Sequence, residues 1–160
     1  MRWIAASLRR QWDEYFPVRQ EERSPDVVAA RRQFLELMLR WTGRLHAAGV
    51  PLLLGTDLGL RDVFPGASVV DELGLLVRAG LTPAEALRCC TLLPARYLGR
   101  EQQGVLEAGK AADLVLVASD PLQDVGALAG IRGVVLRGLW HPSEELDRWL
   151  ESAARGAGEH

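Results

Sequence analysis

Apolar residues recur at helical steps through the first half of this chain and in short runs through the second. Val27, Ala30, Phe34, Met38, Trp41 and Leu45 fall three or four residues apart. Arg32, Gln33, Glu36, Arg40 and Arg44 fall largely on the other side. That spacing predicts a long helix with one apolar face. Ser24-Pro25 opens it with a good N-cap and a proline at the first helical position, and Gly49 is the expected stop. Before it, Trp3, Ile4, Leu8 and Trp12 predict a short helix, ended by Pro17 and the charge cluster Arg19 to Arg23.

The run VPLLLGTDLG at 50–59 breaks the helical period. Leu52, Leu53 and Leu54 are apolar without alternation, which predicts a strand buried on both faces, as in a parallel sheet. Gly55 and Gly59 bracket its exit loop. A helix over 67–79 follows, closed by Gly80. Thr82-Pro83-Ala84-Glu85 is a full capping box and predicts a helix to about Cys90. Thr91 to Leu98 predicts one more short helix, broken near Pro94 and stopped at Gly99. From Gly104 the texture changes to strand-like runs between turns: Val105-Leu106, a turn at Glu107 to Lys110, Leu114 to Val117, a turn at Asp120-Pro121, and Ile131 to Leu136 ended by Gly138. Ser143 opens a last helix with Leu146, Trp149 and Leu150 on one side, and the tail RGAGEH is expected to fray.

Composition adds limits. The chain has 160 residues, 48% apolar and 25% charged, which suits one globular domain. A closed (β/α)₈ barrel takes about 250 residues. No apolar run reaches the roughly 20 residues of a membrane span, and the N-terminus has no secretory pattern. A cytoplasmic location is the expectation. The net charge is −2, so no global field draws nucleic acid or an anionic membrane. Lys110 is the only lysine among 19 basic residues.

Few residues stand out as candidates for chemistry. Asp57 lies at the exit of the predicted buried strand, between glycines, where parallel α/β folds carry their active sites. A carboxylate there can ligate a metal or act as a general base; the alternative is an N-cap or loop-bracing aspartate. His46, His141 and His160 form neither H-x-H nor H-E-x-x-H, so no imidazole pair is spaced for metal on one element. His46 suits a cation at a helix C-terminus. The adjacent Cys89 and Cys90 match neither a disulfide loop nor a zinc pattern and read as small buried apolar residues. Asp71-Glu72 and Glu144-Glu145 read as solvated helix starts.

Taken in order, HAAGVPLLLGTDLG (46–59), PGASVVDELGLLVRAGLTPAEALRCCTLLPARYLG (65–99), GVLEAGKAADLVLVASDPLQDV (104–125) and VVLRG (134–138) resemble the C-terminal part of the amidohydrolase superfamily. The likeness runs over roughly residues 26–150 and is greatest to imidazolonepropionase-like and prolidase-like members. It implies an α/β fold class: the C-terminal fragment of a (β/α)₈ TIM barrel plus late strands of a small β-sandwich domain. Residues 1–103 would be barrel helices and the eighth strand, 104–142 the sandwich strands, and 143–160 the last helix and tail. It makes Asp57 both the catalytic carboxylate and a ligand of a divalent metal, commonly zinc, and gives Asp113 a structural turn. It implies hydrolysis of C–N bonds in small amide-type substrates.

The departures limit what carries over. The family's other ligands, an H-x-H pair, a lysine or glutamate and two further histidines, come from earlier strands, and no histidine precedes His46. Val70 stands where many relatives have histidine, and Leu93 where many have asparagine. A catalytic zinc needs about three protein ligands. The expectation is a fragment, with Met1 an internal methionine or the gene truncated, that neither holds the metal nor hydrolyses substrate alone. Two alternatives remain. One is a split enzyme completed by an N-terminal half or assembled as a homo-oligomer. The other is a non-catalytic interaction domain that keeps the family scaffold.

Overall fold

The computed structural model describes residues 6–15, 24–58, 60 and 63–156. Expectations for Trp3, Ile4, Pro17, the Arg19 to Arg23 cluster, Gly59 and residues 157–160 lie outside the described residues. The elements are helices α1 (Ala6–Tyr15), α2 (Pro25–Ala47), α3 (Ala67–Arg78), α4 (Pro83–Cys90) and α5 (Leu92–Tyr97). Strand β1 (Leu114–Val117), a 3-10 turn (Val125–Ala129), strands β2 (Ile131–Leu136) and β3 (Leu139–Pro142), and helix α6 (Ser143–Gly156) follow. The architecture is mixed α/β with one small antiparallel sheet of order β1-β2-β3.

The caps act as the sequence predicts. The Ser24 hydroxyl accepts from the Val27 amide at 3.3 Å and starts α2. Thr82 and Glu85 cap each other: the Glu85 amide donates to the Thr82 hydroxyl, and the Thr82 amide donates to the Glu85 carboxylate at 2.8 Å. Each arrangement satisfies amides that a helix start otherwise leaves unpaired. Pro94 falls in the first turn of α5, where no helical bond needs its missing N–H. The helix therefore runs through it unbroken, contrary to the sequence expectation.

The core gathers where α3, α4 and the 3-10 turn meet. Leu73, Leu81, Ala86, Cys89 and Val125 are buried there, with Leu76, Val77 and Leu93 packed around them. Helix α2 joins this unit through a close crossing with α3. A Cβ on Gly43 would run into the Ala79 carbonyl, so only glycine permits the approach.

The sheet is held by side chains the turns require. Arg137 and Gly138 both have positive φ, 52° and 80°, as a two-residue hairpin demands. The strand expected to end at Gly138 thus turns there into β3, which the sequence reading had not separated and which carries His141. The Arg137 amide donates to Asp113 Oδ1 at 2.6 Å and the Gly138 amide to the Ala112 carbonyl at 3.1 Å, pinning the hairpin to the start of β1. Asp113 serves structure, as expected of it. The Trp140 ring covers Gly133, where any side chain would collide with it. Helix α6 packs on β2 and β3.

Two predicted strands are not in the sheet. Val105-Leu106 is a bend, with Leu106 exposed. Residues 50–57 belong to neither helix nor sheet. Leu52 and Leu54 pack on the core, but Leu53 is 44% exposed, so the segment is buried on one side and not on both. Among the described residues no strand lies beside it to cover Leu53.

Candidate active site

Asp57 is reached by a well-defined path. Helix α2 ends at Ala47, and Gly49, two residues on with a φ of 78°, reverses the chain. The Leu54 amide then donates to the Cys89 carbonyl at the end of α4, 2.9 Å away, and anchors the segment to the core. Three residues on, Asp57 is exposed, with φ at 54°. This left-handed conformation is uncommon outside glycine, and aspartate tolerates it better than most residues. Its carbonyl accepts from the Leu60 amide at 3.4 Å. The structure thus delivers one exposed carboxylate at the end of an anchored apolar segment.

The other candidates lie elsewhere. His46 Nε2 sits 3.3 Å from Glu85 Oε1, so the last turn of α2 is tied to the capping box of α4. Glu85 therefore serves two helices. Hydrogen bonds from the Thr82 hydroxyl and amide, and then His46, hold its carboxyl below the usual carboxylate range. The capping spacing made the first role legible, whereas nothing in sequence joins positions 46 and 85. His141 Nδ1 lies 3.2 Å from Glu145 Oε2, and its ring meets Trp149 at 4.9 Å between centroids. Glu145 is accordingly not the merely solvated helix start that was expected. Cys89 is buried and Cys90 half-buried, and both are free thiols, as expected. Burial pushes both thiols up, with the Glu85 carboxylate adding to Cys89 and the neighbouring Cys89 adding to Cys90. Raised thiols are poor nucleophiles at neutral pH.

Shallow clefts open on the surface of the described residues. One, of about 330 Å³, is lined by His46, Pro51, Leu52, Glu85, Arg88 and Cys89. A second, also about 330 Å³, lies between Cys90, Arg100 and Asp113. A third, of about 360 Å³, is edged by Arg96, Arg100 and Lys110. Asp57 lines none of them.

A divalent metal needs more than this. Among the described residues no three His, Cys, Asp or Glu side chains come together in a way that could hold an ion. Asp57 is brought next to neither His46 nor His141, each of which has a glutamate partner. The described residues therefore do not compose a zinc site, which takes about three protein ligands. Among them, too, no helix is long and apolar enough to cross a membrane.

Comparison with known proteins places the chain. The sequence model of the Amidohydrolase family matches residues 40–140. An uncharacterised protein of Mycobacterium tuberculosis is 38% identical over 119 residues, covering 72% of this chain and 30% of that protein. The imidazolonepropionase of Deinococcus deserti is 38% identical over 102 residues, covering 61% of this chain and 24% of the enzyme. A crystal structure assigned as a prolidase from Bifidobacterium longum superposes with a TM-score of 0.59 at 35% identity, covering 75% of this chain and 30% of that one. The chain thus spans less than a third of the length of each. The family match takes in α3 to α5, the anchored segment with Asp57 and the sheet as far as Trp140, and with well over half of its residues inside that match this chain belongs to the amidohydrolase family.

Proposed function

We propose that this chain forms the C-terminal part of a metal-dependent amidohydrolase that cleaves C–N bonds in small amide-type substrates, with Asp57 as its contribution to the reacting centre. The observation that carries the reading is the family match over residues 40–140 in a chain spanning only 24–30% of its relatives' length. The anchored, exposed Asp57 suits the role. A carboxylate fixed at the end of such a segment can accept a proton from an attacking water and pass it to a leaving nitrogen. The metal's remaining ligands come from outside the described residues, and the isolated chain is inactive.

A graft tests this. Residues 40–140 replace the matching segment of the Deinococcus imidazolonepropionase, and hydrolysis is followed with that enzyme's own substrate. Activity is expected in the graft and a fall of about 100- to 10,000-fold in its Asp57→Asn variant. Full activity in the variant overturns the role of Asp57. One tightly bound zinc and amide hydrolysis by the isolated chain would refute its inactivity.

A split enzyme is the second reading, supported by the uncovered side of residues 50–57. Open apolar segments of that kind invite pairing with another chain. Co-expression with the product of the upstream reading frame is expected to raise solubility and metal content, and no gain in either counts against it.

A further inference from the structure

Glu85 divides its two carboxylate oxygens between two tasks. Oε2 accepts from the Thr82 amide at 2.8 Å and from the Thr82 hydroxyl at 2.7 Å, and these bonds open α4. Oε1 is left over, and His46 Nε2 lies 3.3 Å from it. A capping box needs only the first task. The second joins the last turn of α2 to the first turn of α4. An ionised carboxylate only accepts, so this contact calls for a donor at the position of His46 Nε2.

The same helix takes hold of the chain again further on. Beyond His46 and the turn at Gly49, the Leu54 amide donates to the Cys89 carbonyl at 2.9 Å. Glu85 and Cys89 stand about one turn apart on α4, so the two holds are separated by about 6 Å of helix. A cleft of about 330 Å³ runs along this stretch, lined by Pro51 and Leu52 from the segment, Arg88 and Cys89 from α4, and the His46–Glu85 pair. Leu52 and Leu54 also press on the core. Apolar contact is non-directional, so it sets how deep the segment lies and not its course along α4. The two polar holds set that course.

We propose that His46 and Glu85 are positioning residues for Asp57. They fix where the segment enters, and the Leu54–Cys89 bond fixes where it leaves. Asp57 follows shortly after, with its backbone in one left-handed conformation at φ 54°. The pair therefore acts on the Asp57 carboxylate through the backbone. This role rests on the function proposed for Asp57 above; the hold on the segment does not.

Amide hydrogen exchange on the full chain, read residue by residue by NMR, tests the hold directly. His46→Ala should speed exchange at Leu54 about two- to fivefold, the range of one partly exposed pair. Ala79 and Ala86, whose amides bond at the end of α3 and the start of α4, should keep the parent rate. His46→Gln offers an amide donor in place of Nε2 and should return Leu54 toward the parent rate. Glu85→Gln keeps the capping acceptor but loses the charge facing His46, and should match His46→Ala. In the imidazolonepropionase graft, His46→Ala should lower kcat on the order of tenfold with KM little changed, since small misplacements of a reacting group cost rate.

An unchanged Leu54 rate in His46→Ala overturns the proposal. So does equal acceleration at Leu54, Ala79 and Ala86, which marks a general stabiliser of the fold. An acceleration that His46→Gln does not reduce overturns it too. Full kcat in the grafted His46→Ala overturns the positioning role and leaves that of Asp57 standing. Full activity in the grafted Asp57→Asn instead overturns the catalytic reading, and with it the positioning role, while the exchange result still reports the hold.

Discussion

The unit around Leu73 and the stretch from Phe34 to Leu53 draw on the same residue types and meet different fates. Leu73 is enclosed on every side by α3, α4 and the 3-10 turn. Phe34, Trp41 and Leu53 are large and apolar and remain open. Residue type does not separate the two groups. The difference is whether elements inside this chain come back to cover the side chain. In the first region Leu81 and Val125 return to the same point from later in the chain. In the second, α2 is met by α3 on one face alone, and residues 50–57 by the core on one side alone.

Mutations in each region test that contrast. The largest effect is expected at Leu73→Ala, which should cost about 2–5 kcal/mol in urea unfolding because the enclosed site cannot collapse to fill the void. Leu53→Ala should cost about 1 kcal/mol or less, since its side chain stays 44% exposed on folding and leaves no enclosed void when truncated. Equal costs would mean that the two regions are not different in kind. Next is Gly43→Ala. The new methyl meets the Ala79 carbonyl and must push α2 from α3, at about 1–3 kcal/mol. A neutral result would show that α2 is barely fixed to the core, and would extend the open region to the whole helix.

A smaller effect belongs to the capping box. Thr82→Ala should cost about 1 kcal/mol at neutral pH. Glu85 has a lowered carboxyl in the folded state, so it adds stability above the ordinary carboxylate range near about 4.3. That contribution is lost as pH falls through the lowered folded value. Thr82→Ala removes the largest cause of the lowering, so the gap between variant and parent should shrink in acid. Urea midpoints at neutral and acid pH measure it. A gap that widens in acid would contradict the sign.

Much of the local structure was legible because its causes are local. Ser24-Pro25 and Thr82 to Glu85 place helix starts by side chains bonding to amides within three residues. Gly49 and Gly80 mark stops through backbone freedom, with φ at 78° and 111°. Asp113 at the start of a strand was rightly assigned to structure. The misses share a different cause. Arg137-Gly138 is a hairpin turn with an arginine where asparagine or aspartate usually signals one, so β3 was not separated from what precedes it. Pro94 reads as a breaker in the sequence, yet its offset from the helix start decides its effect, and Thr91 gives no side-chain cap to mark that start. The apolar row expected to be the buried face of α2 is largely exposed, and Leu39 on another side of the helix is the buried residue, because periodicity does not say which face a distant segment covers.

The amino-acid sequence alone determined the family, most helix starts and Asp57 as the residue to examine, since each rests on nearby residues or on an ordered run of motifs. Tertiary structure decided the rest. It tied His46 to Glu85 and Asp113 to the hairpin. It left Asp57 without imidazole neighbours among the described residues, and turned one face of α2 inward and the other out. Those outcomes depend on which distant segments meet, and a contact between positions 39 or 24 residues apart leaves no trace in local spacing.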